Sequence, residues 1–189
     1  MRHFSVWPAL TLRGRKNKGL RGLAGKPLHP PLTDIPIGAY ILGAVFDVIS
    51  AIGGREHDWS QDFWHAGTYV FIGGAAVSVL AAITGAVDWW RSSQPGTQAR
   101  RTINTHALIM ITVTVLTLID IAWRLDRYDA TCAPVGVAVL SVVIGLLVSV
   151  GATYGGSLVF DYGFNVETAG DHPVWHVSET DVLPGDHTL

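Results

Sequence analysis

Charge is what this chain has least of. Asp, Glu, Lys and Arg make up 15% of its 189 residues, where a soluble domain carries about 25%, and that shortfall excludes an ordinary water-exposed globule. Cysteine is nearly absent as well: a single one, Cys132, excludes an intrachain disulfide, a multi-cysteine zinc site and an iron–sulfur cluster held by four thiolates. No Walker loop, nucleophile elbow, HExxH pair or dinucleotide fingerprint occurs, so no motif of a soluble-type enzyme is present. The length allows about one domain. No apolar stretch with a small-residue cleavage site precedes the N-terminal basic run, so the sequence predicts no removable signal peptide and an uncleaved first anchor.

What is abundant is apolar residues, 49% of the chain, with a mean hydropathy of +0.33. They gather in four runs, 35–54, 64–90, 103–123 and 135–160. Each is long enough to cross a hydrocarbon core of about 30 Å at about 1.5 Å per residue. Four such runs leave too little polar surface to solvate a soluble bundle. The expectation is an all-α, integral membrane four-helix bundle over 34–160, with a basic arm at 1–33 and an acidic tail at 161–189, both cytoplasmic. Pro36 suits the first turn of span one, and Trp59, Trp64, Trp89, Trp90 and Trp123 sit where interfacial anchors are expected.

The few charges are segregated. The first 33 residues carry 7 Lys/Arg and no acid, and the residues after Phe160 carry 6 acids and no Lys/Arg. The arm and the loop between spans two and three (Arg91, Arg100, Arg101) hold 10 basic residues against 3 (Arg55, Arg124, Arg127) in the other two loops. That asymmetry puts both termini in the cytoplasm. Anionic lipid is the expected partner of the arm, at roughly 1 kcal/mol per basic residue, and nucleic acid is not, because no folded reader or interleaved stacking aromatics accompany it. His172 and His176 in the acidic tail flank Pro173, which argues against a helical metal pair. The small-residue positions Gly73, Gly74, Ala75, Ala76, Gly151 and Gly155 predict close helix packing inside the bundle.

Ionisable groups inside a span cost at least about 2.5–3.5 kcal/mol each on insertion scales and so mark an interior or a function. Following the chain across the membrane, His29, Asp34, Asp88 and His106 converge at the cytoplasmic level, while Asp47, His65 and Asp120 form a sparser group in the outer half. His106, Met110, Val113, Thr117 and Asp120 share one face of span three, the two ionisable ends 14 residues apart, or about 21 Å. His29 and His106 are the minimum for a bis-imidazole b-type haem, with Asp34 and Asp88 accepting the second ring N–H. The same four residues also suit a metal site, a helix-tying hydrogen-bond network or a proton- or metal-linked transporter. The haem reading makes the protein a redox accessory that exchanges electrons with quinone or a redox partner. The transporter reading is disfavoured by the lack of inverted repeats and unwound spans.

The segments HPPLTDIPIGAYILGAVFD (29–47), TGAVDWW (84–90), RTINTHA (101–107) and GGSLVFDYGFNV (155–166) together resemble an uncharacterised family of small bacterial four-span membrane proteins, a domain of unknown function. The similarity runs from Lys26 to Glu167. It implies His29, Pro30, Asp47, Gly85, Asp88, His106, Gly155 and Gly156 as the family's marked positions; His65 is not among them. Some relatives are joined to a Rieske iron–sulfur domain, which implies an electron-transfer setting. This chain, with one cysteine, would need a separate redox protein. The family's common opening His-Phe-Pro is replaced here by Asp34, Ile35 and Pro36, which removes a third histidine.

Overall fold

The computed structural model describes residues 18–22 and 26–166. Four helices account for nearly all of it: α1 (His29–Gly53), α2 (Trp59–Ser92), α3 (Gln98–Asp126) and α4 (Val135–Phe160), with a single 3-10 turn, Gly54–Glu56, after the first. All four are long and apolar enough to cross a membrane. Among the described residues there is no strand, only an isolated bridge between Arg21 and Pro27.

The fourth span coincides with the apolar run, and the other three helices extend beyond theirs. Hydropathy marks where lipid begins, whereas a helix continues until its backbone is capped. Thus α1 starts at His29, not at 35, because Pro30 and Pro31 occupy first-turn positions whose N–H groups have no helical partner in any case. Pro36, expected in the first turn, instead lies buried inside the helix, where it removes one backbone hydrogen bond. At its other end α1 stops at Gly54, whose φ of 62° is open to glycine at little cost. At 34 residues α2 is about 50 Å long, so its ends stand outside the hydrocarbon. The Thr97 side chain caps α3 by accepting from the Arg100 N–H at 3.1 Å.

The short connections make successive helices antiparallel. The start of α1, the end of α2, the start of α3 and the end of α4 therefore share one end of the bundle. α1 packs closely on α2 and α4, and α3 on α4, while α2 and α3 meet less closely. Tyr40, Phe71, Val113, Ile144 and Val148 form the central core. The helices approach most closely where a side chain is missing: a Cβ on Gly67 would lie 2.8 Å from Asp47 Oδ1, and one on Gly43 would lie 2.5 Å from the Phe71 ring. Gly151 and Gly155 face Met110 and His106 of α3, so this small-residue pair serves packing within the bundle, as expected; of the α2 patch Gly74 packs on Ala39 and Tyr40, whereas Gly73 and Ala76 lie on the exposed face of the helix and do not.

The distribution of polarity is that of a protein in lipid. Ile41, Val45, Ile52, Val79, Ile83, Leu108, Ile111, Leu118 and Leu146 point outward, while Asp47, Ser50, Thr68, Thr84, Asp88, Thr117, Asp120, Arg124 and Ser141 are buried. Trp59, Trp89, Trp90 and Trp123 are exposed near helix ends. Trp64 is not an interfacial anchor: it is fully buried, and its Nε1–H donates to the Tyr128 carbonyl at 3.1 Å. It packs with Ala133 and Val137.

Candidate functional site

Two sites stand at opposite ends of the bundle. At the end shared by the α1 N-terminus and the α2 C-terminus, His29 and His106 meet across the interior with ring centres 6.3 Å apart and planes at 83°. Each ring is fixed by a neighbouring backbone. His29 Nδ1 lies 2.9 Å from the Ala81 carbonyl of α2, and His106 Nδ1 lies 2.8 Å from the Gly151 carbonyl of α4. A carbonyl only accepts, so both Nδ1 atoms carry the proton and both Nε2 atoms keep a lone pair. Thr84 Oγ1, 3.4 Å from His29 Nδ1, spends its own hydroxyl on the α2 carbonyls of Leu80 and Ala81.

Glycines make room for both imidazoles. A Cβ on Gly85 would stand 2.8 Å from His29 Cε1, and one on Gly155 would stand 3.3 Å from His106 Cε1. The convergence of His29 and His106 predicted from chain direction is therefore present. The other two members of that group behave differently. Asp34 lies exposed on α1, because its position on the helix faces away from the bundle. Asp88 is buried, and its Oδ1 has no hydrogen-bond partner among the described residues. Among those residues no three His, Cys, Asp or Glu side chains gather as a metal-binding group, so the four-residue metal set is not assembled.

At the opposite end Arg124 of α3 is fully buried between two carboxylates. Its Nε bonds Asp120 Oδ2 one turn back, and its two terminal nitrogens bond both oxygens of Asp47 on α1, Nη1 to Oδ1 at 2.9 Å. The guanidinium also lies 4.3 Å from the Phe71 ring centre and 5.0 Å from that of Trp64, a stacking that suits its planar, weakly hydrated cation. Nearby, Ser50 Oγ donates to the Ser60 carbonyl at 2.6 Å and accepts from the Ala133 N–H at 2.9 Å. These bonds close the end by tying α1 to α2 and to the α3–α4 loop.

Asp47 and Asp120 were expected in this half, but Arg124 was assigned to a loop. The signal was present: the α3 stripe that runs through positions 106, 110, 113, 117 and 120 reaches 124 at its next step. Moving Arg124 out of the loop leaves Arg55 and Arg127 as the basic residues of that end. His65, expected with the two aspartates, is only half-buried and joins a different group. Its Nε2 lies 3.1 Å from the Tyr128 carbonyl, and its ring stacks on the Tyr128 ring at 4.5 Å. Tyr69 shares a hydrogen bond with the Tyr128 hydroxyl, which raises the Tyr128 phenol above its usual range. His172 and His176 lie outside the described residues, as does most of the basic arm.

The chain belongs to the family described as "Predicted membrane protein (DUF2231)", whose model matches residues 25–168. That span agrees with the similarity expected over 26–167, and it contains both sites. Comparison with curated proteins and with solved structures gives no match.

Proposed function

We propose that this member of the family is a small membrane redox protein that binds b-type haem through His29 and His106. The observation that carries the reading is the state of the two rings. Each Nδ1–H is held by a backbone carbonyl, which leaves two free Nε2 atoms on rings whose centres are 6.3 Å apart. His29 and His106, the two free imidazoles at this end, would hold the haem iron. A porphyrin supplies four of the six nitrogens around iron and asks two of the protein, which is the number these two rings offer. The carbonyls raise ligand basicity and hold ring orientation. Bound haem iron would supply one-electron chemistry, exchanged with quinone or a separate redox protein in a bacterial inner membrane. The basic arm and the α2–α3 arginines favour the imidazole end, and both termini, on the cytoplasmic side.

The test is the oxidised-minus-reduced visible spectrum of protein purified in mild detergent after expression with ample haem. Sharp α and β bands near one haem per chain, lost in both His29→Ala and His106→Ala, are expected. A featureless spectrum from folded, haem-replete protein would sink the reading.

A second reading has its own support. The same Nδ1–H bonds link α1 to α2 and α3 to α4, so the histidines also serve as helix ties. A protein with that role alone melts lower in both alanine variants and never shows a chromophore.

A further inference from the structure

The end opposite the histidines holds a charge imbalance. Asp47, Asp120 and Arg124 are all fully buried, and two carboxylates against one guanidinium leave one negative charge without a partner. An uncompensated buried charge costs several kcal/mol. Among the described residues no other ionisable side chain supplies the balance. Asp120 faces Asp47 from α1 and Arg124 from its own helix. From α2 the guanidinium meets the Trp64 and Phe71 rings, and His65 is turned to the Tyr128 carbonyl. The sole titratable side chain of α4, Tyr154, lies exposed toward the other end.

The two carboxylates are not equivalent. Both oxygens of Asp47 are bonded to Arg124, whereas Asp120 uses only Oδ2, and its Oδ1 is buried without a hydrogen-bond partner among the described residues. On the Asp47 side the packing is tight: a Cβ on Gly67 would lie 2.8 Å from Asp47 Oδ1 and 3.5 Å from Arg124 Nη1. We infer that Asp120 is a proton-binding site that carries its proton on Oδ1 at neutral pH and makes the triad electrically neutral. A proton on Oδ1 removes the surplus charge from the buried triad.

Two further buried hydroxyls lie on the same helix faces. Thr117 Oγ1 lies one helical turn before Asp120 on α3, and Tyr40 Oη stands two turns before Asp47 on α1. Both are buried, and the Tyr40 hydroxyl lies beside those of Ser78 on α2 and Thr117 on α3. These hydroxyls lie on the side of the carboxyl that faces the imidazole end. The site is independent of whether the histidines hold haem.

Infrared spectroscopy of the full chain reconstituted in liposomes at neutral pH tests the proton. The wild-type-minus-D120N difference spectrum should carry the carbonyl stretch of a carboxylic acid, shifted down in D2O; a difference without that band overturns the inference. Thermal melting assigns the proton between the two acids. Asn resembles a neutral acid, so D120N should melt within a few degrees of the wild type, whereas D47N, which breaks the two-point bond to Arg124, should melt far lower. Equal losses, or a larger loss in D120N, overturn the assignment to Asp120.

Discussion

Arg124 reaches from the last turn of α3 to Asp47 on α1, 77 positions earlier, with Nη1 2.9 Å from Oδ1. The pair joins two helices that are not sequence neighbours, at full burial. Its value to the fold lies less in its formation than in the cost of breaking it, since removing one partner strands a charge in the bundle.

Replacing Arg124 with Leu leaves at least one bare carboxylate inside. The expected loss is about 3–5 kcal/mol, read by denaturant unfolding in detergent micelles. Making Asp47→Leu and Asp120→Leu in the same chain should restore most of it, because the buried charge is gone.

Glycine positions separate by what a methyl group would meet. Gly67→Ala puts a Cβ 2.8 Å from Asp47 Oδ1 and should cost about 1–3 kcal/mol by overpacking. Gly73, with nothing within 4 Å, should accept Ala with no loss and a gain of up to about 1 kcal/mol from helix propensity. The same unfolding assay ranks the two.

Gly85→Ala brings a Cβ against the His29 ring while leaving the ligand residue in place. If the paired imidazoles hold haem, this variant should bind clearly less of it or show shifted α-band positions. Trp90→Phe at the exposed end of the same helix should change neither. Pyridine haemochrome content per chain is the readout.

Trp64→Phe removes the Nε1–H bond to the Tyr128 carbonyl. The carbonyl also faces His65 Nε2, so the expected cost is about 1 kcal/mol. Trp90→Phe, exposed at 72%, should leave the melting temperature unchanged.

Orientation can be read with the chain's single thiol. Cys132 lies in the α3–α4 loop, half-buried, and exposed Thr131 stands beside it. In a Cys132→Ser, Thr131→Cys chain, a membrane-impermeant maleimide should label intact spheroplasts. Labelling that appears only after the membrane is opened would place this loop, and not the histidines, in the cytoplasm.

The sequence alone determined the number of helices, their membrane character and which residues share an end. Hydrophobic run length and antiparallel alternation are local properties, so they needed no knowledge of packing. They were enough to bring His29 and His106 together, because both sit at the same end and the α3 stripe points His106 inward. Tertiary structure decided what local pattern cannot express. Asp34 and His29 are five positions apart on one helix, yet the rotation of α1 against its neighbours leaves the first exposed and turns the second inward. Arg124 looked like a loop charge because hydropathy falls near it, and only the cross-bundle approach of Asp47, permitted by Gly43 and Gly67, makes its burial bearable. The tautomer of each histidine was likewise set by carbonyls 52 and 45 positions away. Such partners are chosen by how helices pack side against side, a relation no single stretch of sequence contains.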